Sequence, residues 1–316
     1  MNSIPFISTE YSDKIVQMEK RNDRRLIDSA LIFIAGASYG FIVPVVKLGT
    51  AAGISPAGYI PMQYLIAMIV CAIVVFAKRI PLGRPRGLLP LVILGFCTGS
   101  TSICYYNAVT LLPSSAALTL LFQYIWVSVL IEWIHRRQAP SVSTVIAIVI
   151  VLVGTVFATG LFDEGGMELD PLGVVFGLGS AVFYALYLYL SGTLATDRPF
   201  MLRTLMLAVG GFIVSSIANP LVFVKAMPNL DTWPYSAGLA CLGILIPTTL
   251  INYASPRLSA GMVSIMASSE LPMGIFAAWL IVADTPSPLV LFGALLVLAG
   301  IVVKQIPTLM NETRLR

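Results

Sequence analysis

The sequence predicts an all-α membrane protein of ten transmembrane helices, arranged as two inverted five-helix repeats. Three observations carry that reading. Hydrophobic residues make up 58% and charged residues 11% of the 316 positions, with a mean hydropathy of +0.91. Soluble domains hold ~25% charged residues, and one of this length has nowhere to hide so much apolar surface. Second, the stretch from Ala108 to Val156 lies over Ala254 to Val302 without a gap. Ala108 meets Ala254, Leu112 meets Leu258, Trp133 meets Trp279, and Pro140-Ser141 meets Pro286-Ser287. Val151-Leu152 then meets Val297-Leu298, Gly154 meets Gly300, and Val156 meets Val302. The Leu and Val identities weigh little in apolar sequence; the Trp, Pro-Ser and Gly identities weigh more. Third, Lys and Arg fall almost wholly in alternate loops.

Ten apolar stretches reach about twenty residues each, the length that crosses a hydrocarbon core of ~30 Å. They fall at 29–46, 58–77, 88–111, 115–134 and 142–161 in the first copy, and at 172–191, 202–223, 235–254, 261–282 and 288–306 in the second. The loops are short, and most carry Pro, Gly or Ser. Residues 1–28 form a polar, loosely ordered tail, and residues 307–316 close the chain. The repeats occupy 29–162 and 172–306, joined by an acidic linker at 163–171 that contains Gly165-Gly166. A cleaved signal peptide does not fit, because the charged region is too long and the first apolar run is interrupted by Tyr39, Gly40 and Pro44. Five is an odd number, so the two copies face opposite ways across the bilayer. Inverted repeats of this kind are typical of secondary transporters, with the solute site where the repeats meet.

Ten spans place both termini on one side. That side collects Lys14, Lys20, Arg21, Arg24, Arg25, Lys78, Arg79, Arg84, Arg86, Arg136, Arg137, Arg198, Arg203, Arg257, Lys304, Arg314 and Arg316. The other side has only Lys47 and Lys225, beside Asp163, Glu164, Glu168, Asp170, Asp231 and Asp284. Basic loops stay inside, so both termini are expected in the cytoplasm of a cell with a plasma (bacterial inner) membrane. Adding or dropping one helix would scramble the pattern.

Composition also removes several function classes. The net charge of +4 sits in short loops, with no basic face interleaved with aromatics, so no nucleic-acid partner is expected. Cys71, Cys97, Cys104 and Cys241 all lie inside apolar spans without metal-ligand spacing and read as buried thiols. With His135 the single histidine, neither a metal site nor a Ser-His-Asp triad is expected, nor any cofactor. The glycines lack the strand–loop–helix setting and the lysine of a nucleotide-binding loop. Gly36-x-x-x-Gly40, Gly95-x-x-x-Gly99 and Gly173-x-x-x-Gly177 instead permit close helix approach. Glu132, His135, Arg136 and Arg137 read as a helix end at the cytoplasmic surface, with long side chains reaching for water.

Four pieces of the chain resemble a known family. The first span runs Ala37-Ser38-Tyr39-Gly40-Phe41-Ile42-Val43-Pro44-Val45-Val46-Lys47, an aromatic-Gly helix closing on a lysine. Tyr105-Tyr106-Asn107-Ala108 and Ile251-Asn252-Tyr253-Ala254 end two spans, and Glu270-Leu271-Pro272 lies within the ninth, with Asp284 at its end. Leu298-Ala299-Gly300 closes the tenth. In order and spacing these resemble the EamA-type members of the drug/metabolite transporter superfamily, over roughly 29–306. The resemblance implies ten helices, metabolite transport and, by analogy, export. The chain departs from that pattern at Gln63, where the family often has arginine, and at Gln138 and Trp126, which stand opposite Asp284 and Pro272.

Glu270 is the sharpest site candidate. It lies half-way along its span, where an acid costs ~2.5–3.5 kcal/mol, offset by a partner, by cavity water or by protonation. That depth suits a proton-responsive group or the partner of a solute ammonium. Pro44, Pro247 and Pro272 each remove a backbone hydrogen bond and are candidate kinks or gates. Tyr39, Gln63, Asn107, Gln123, Tyr124, Trp126, Tyr184 and Asn252 form a second tier, with Tyr64 and Tyr187 beside them; aromatic faces would hold an organic solute and amides orient it. Lys47 joins them through its likeness to the family lysine. The expected function is a secondary active transporter that moves an amino acid or related zwitterion by alternating access between the repeats. Protons are the expected coupling ion and membrane lipids the surroundings. One chain holds both repeats, so monomer and homodimer both remain open. A lipid-translocating protein is the alternative. An enzyme is not expected, since no cluster of acids, histidines or nucleophiles lies at an interface.

Overall fold

A computed structural model describes residues 5–54, 56–83, 87–112, 114–158, 170–221, 223, 227, 229–283 and 285–313. Within it, the side chains of 5–22, Lys47 and a few other helical positions are outside the described set, as are Asp284 and linker residues 163–169. All of the elements described are helical.

The first span comprises Pro5–Gly40 and, after a break at Phe41, Ile42–Ala51. The second and third are Pro56–Ala77 and Leu89–Leu111. The fourth is split into Ser114–Leu121 and Tyr124–Arg136, and the fifth is Val142–Ala158. In the second repeat, Pro171–Thr193 and Phe200–Ala218 are the sixth and seventh spans. The eighth runs Thr232–Ala240, a π-turn at Cys241–Leu245, and Ile246–Ala254, ending in the 3-10 turn Ser255–Arg257. The ninth is split into Ala260–Ala267 and Glu270–Val282, and the tenth is Pro288–Thr313. Among the described residues nine spans are long and apolar enough to cross a membrane. The fifth is the tenth of the set, with 17 residues up to the edge of the described chain, at the short end of what spans a bilayer.

The repeat read from sequence reappears in the backbone, boundary by boundary. In the same register Ser114–Leu121 falls on Ala260–Ala267 and Tyr124–Arg136 on Glu270–Val282. The latter two each end in a left-handed residue, Arg137 (φ 53°) and Ala283 (φ 55°), which turns the chain so that the last carbonyls are capped. The next helices start at Val142 and Pro288, again in register.

Packing crosses between repeats. The first span lies against the eighth and ninth, and the sixth correspondingly against the third and fourth; the seventh packs on the second and third, and the fifth on the tenth. Small residues set the closest approaches. A Cβ on Gly40 would stand 2.6 Å from the Gly274 nitrogen and 2.7 Å from the Glu270 carbonyl oxygen, so only glycine lets the first span cross the ninth there.

Three expectations need correction. The tail is helical from Pro5, because no Gly or Pro interrupts residues 6–35 and Asp28, 1% exposed, is anchored by Arg257. Arg203 and Lys304, read as loop charges, are buried: Arg203 donates to the carbonyls of Ser191 and Asn252, and Lys304 to the Thr144 hydroxyl of the fifth span. Cys241 is exposed on the outer face of the π-turn, whereas Cys71 and Cys97 are buried.

Candidate functional site

Four helices are broken at mid-membrane, and the breaks converge. In the ninth span Ser269 N–H bonds to the Met266 carbonyl and Leu271 N–H to Ser268, each three residues back; in the fourth, Gln123 bonds to Leu120 and Ile125 to Phe122 in the same way. Both breaks are therefore single turns of tighter 3-10 helix. Side chains hold them. Ser269 Oγ donates to the Phe33 carbonyl at 2.7 Å, tying the ninth span to the first, and Ser38 Oγ donates at 2.8 Å to the Leu242 carbonyl in the π-turn. Pro44, Pro247 and Pro272 do not interrupt helices. Each falls in the first three residues of the half-helix after a break, where a missing N–H costs least.

Between the breaks lies a cavity of about 130 Å³, on a measure by which one water needs ~10–15 Å³. Eight spans line it, four from each repeat; the fifth and tenth take no part. Glu270, at the start of the second half of the ninth span, is half-buried in its wall, and among the described residues no cation pairs with it. Around it stand Tyr39, Tyr184, Gln63 and Tyr64, with Tyr105 and Tyr106 from the third span. The tyrosines brace one another. Tyr184 meets Tyr39 edge-on at 6.1 Å and Tyr124 at 4.6 Å, and stacks on Tyr187 at 6.1 Å. Irregular backbone at this depth persists only where it is covered by protein or lines a cavity, as here.

Not every candidate reaches the cavity. Tyr39, Gln63, Tyr184 and Glu270 line it. Tyr124 is fully buried one layer behind, its hydroxyl 3.4 Å from the Ser264 carbonyl. Trp126 faces outward, 41% exposed, and donates through Nε1 to Gln123 Oε1 at 2.8 Å; the Gln123 amide in turn bonds the Thr119 carbonyl. Those two side chains close the fourth-span break instead of contributing to the wall. Asn107 is exposed and bonds the Ile103 carbonyl, and Asn252 is buried against Thr204 below the cavity. The Lys47 side chain lies outside the described residues.

The sequence reading missed the third-span face formed by Thr98, Thr101, Ser102 and Tyr105. Steps of three and four residues put these on one stripe, a signal present in the sequence. Thr248 of the eighth span and Leu207 of the seventh were also missed.

At the end rich in basic residues, polar contacts join the spans. Arg257 pairs with Asp28 through two hydrogen bonds of 2.5 Å, and its guanidinium lies 4.5 Å from the centre of the Tyr253 ring. Glu132 accepts from Gly261 N–H at 3.4 Å, and His135 bonds Tyr189.

Comparison with known proteins agrees with this architecture. The model of the EamA-like transporter family matches twice, over residues 27–160 and 171–304, one match per repeat. Over 209 residues the chain is 23% identical to an uncharacterized transporter of Synechocystis, which covers 64% of this chain and 62% of that relative. A solved structure, described only as the crystal structure of a protein, superposes with a TM-score of 0.72 at 16% identity, over 88% of this chain and 97% of that one; the likeness is one of fold. Matched twice, once for each five-helix repeat and over most of its length, this chain belongs to the EamA-like transporter family.

Proposed function

We propose that the transporter carries a small organic metabolite, an amino acid or related zwitterion, through this cavity by alternating access, and that it works as an exporter. The observation that carries the reading is Glu270, an acid with no cation among the described residues, facing a chamber of tyrosine rings and the Gln63 amide built by both repeats. An ammonium group supplies the missing charge, and the rings hold the organic body through cation–π and apolar contact. Proton exchange at the same carboxylate would couple transport to a pH gradient. The Asp28–Arg257 clasp on one side, with the cavity on the other, fits one of two alternately open states. The distribution of basic loops supports cytoplasmic termini in a plasma or bacterial inner membrane.

The test is efflux from proteoliposomes loaded with a labelled amino-acid and metabolite pool, with and without a pH gradient. Selective loss of one or a few solutes, faster under the gradient, is expected. Retention of every solute alongside translocation of labelled lipid would replace the reading with a lipid-translocating one.

A further inference from the structure

Below Glu270, a second group of polar atoms lacks partners. Among the described residues, the Tyr184 hydroxyl, Arg203 Nε and Asn252 Oδ1 are buried without a hydrogen bond, and the buried Tyr187 hydroxyl has only the Tyr39 hydroxyl near it. They are contiguous. Tyr184 lines the cavity and stacks on Tyr187; Tyr187 neighbours the cavity residues Tyr39 and Tyr64 and feels the charge of Arg203; and Arg203 donates to the Asn252 carbonyl at 2.5 Å. Arg203 also lies one helical turn beyond Leu207, a cavity residue on the same face of the seventh span.

Buried polar atoms in folded proteins are nearly always paired, so a group of orphans next to a cavity marks what the cavity holds. The charges are complementary as well. Among the described residues Glu270 has no cation in ion-pair contact, and Arg203, 1% exposed, has two backbone carbonyls but no carboxylate within ion-pair distance, Asp197 acting only from further off. Hydroxyl donors backed by a fixed positive charge suit an anion, and above all a carboxylate.

The geometry points to an anion-accepting subsite at the cavity floor, in which the Tyr187 and Tyr184 hydroxyls receive the carboxylate of a solute whose ammonium group faces Glu270. Arg203 is a positioning residue. It stands behind Tyr187, neutralises the carboxylate by its charge, and ties the ends of the sixth and eighth spans so that the floor keeps its shape. A solute with both groups pairs the two hydroxyls, leaving only Arg203 Nε and the Asn252 oxygen behind them, whereas an amine alone leaves the whole floor unpaired. This inference rests on the solute reading of the cavity, and it adds a named second pole.

The test uses full-length protein in proteoliposomes, with a labelled pool of proteinogenic amino acids beside the matching pool of decarboxylated amines. For Tyr187→Phe, the half-saturating concentration for amino acids is expected to rise about tenfold, the weight of one hydrogen bond to a charged group, with that for amines unchanged. Arg203→Lys should keep most amino-acid preference and Arg203→Gln lose it, each checked for an unchanged melting temperature. If Arg203→Gln fails to fold, Tyr187→Phe decides alone. Equal loss for both pools, or no loss for either, overturns the subsite while leaving the transporter reading intact. Wild-type protein that moves neither pool overturns that reading, and the subsite with it.

Discussion

The breaks in the fourth and ninth spans share one backbone and differ in chemistry. Both are 3-10 turns at equivalent positions, flanked by half-helices of 8 and 13 residues. In the fourth span, the residues at and after the break are Gln123, Tyr124 and Trp126; in the ninth they are Ser269, Glu270 and Pro272. The first set closes on itself, through the Trp126–Gln123 hydrogen bond and the Gln123 cap on Thr119. The second opens, with Ser269 bonding a neighbouring helix and Glu270 facing the cavity. Repetition therefore supplied the scaffold, and a few substitutions made one copy structural and the other the polar wall. The largest expected effect follows directly. Glu270→Gln keeps shape but removes the acid, and is expected to slow solute efflux about a hundredfold or more, as losing one partner of an enclosed charge pair does. Tyr124→Phe, at the equivalent place, should cost less than threefold, roughly what one weak hydroxyl contact is worth. Similar losses in the two variants, measured as initial efflux rates, would erase the asymmetry.

The crossings beside the two breaks sharpen the comparison. A Cβ on Gly40 would stand 2.6 and 2.7 Å from backbone atoms of the ninth span, while one on Gly177 of the sixth span would meet the Leu120 side chain of the fourth, Cδ1 at 2.7 Å and Cβ at 2.8 Å. The backbone contacts at Gly40 cannot give, whereas at Gly177 a rotamer change moves Leu120 Cδ1 away and leaves its Cβ as the one fixed close contact. Gly40→Ala is expected to destabilise by about 1–3 kcal/mol and Gly177→Ala by less, on the scale of overpacked cores. Melting temperatures of the two detergent-solubilised variants decide the order.

Much of this was legible in the sequence. Trp133 and Trp279, the two Pro-Ser pairs and the two glycines set the repeat register, and the backbone follows it boundary by boundary. Glu270 was legible by depth alone. The breaks were not. Gln123 (φ −60°, ψ −15°) and Ser269 (φ −55°, ψ −18°) sit in right-handed helical space that any residue adopts, so neither turn needs Gly or Pro, and only the ninth has a proline, Pro272, just after it. Arg203 was misread for a similar reason. A basic residue four positions into a span resembles a topological flank, and only the facing carbonyls of Ser191 and Asn252 explain its burial. Thr98, Thr101 and Ser102 were passed over because such hydroxyls commonly bond their own helix, as all three do here while also lining the cavity.

Prolines looked like the cause of the breaks, and the fourth span shows otherwise, since Trp126 stands where the ninth has Pro272 and the break is the same. Pro272→Ala should therefore leave the break in place. Stability should change by less than ~1 kcal/mol, because in the first turn proline gives up no helical bond, and efflux should stay within about threefold of wild type, a barrier change of that same size or less. A large loss of efflux with an unchanged melting temperature would return the proline to a gating role.

The smallest effect is expected at Trp126. Its ring is exposed on the outer surface of the bundle, and its one polar contact is the hydrogen bond to Gln123. Trp126→Phe removes that bond but leaves the Gln123 cap on Thr119, so the fourth-span break keeps its own closure. A partly exposed hydrogen bond contributes about 0.5–1.5 kcal/mol; for an outward-facing pair the loss should lie at the low end, with efflux unchanged. Trp126→Pro tests the same point from the other side. It copies the ninth-span residue into the first turn of an equivalent half-helix, and the fold should accept it with a similarly small shift in melting temperature. If it unfolds the protein, the two breaks are not interchangeable backbone, and the asymmetry between the repeats extends below the side chains.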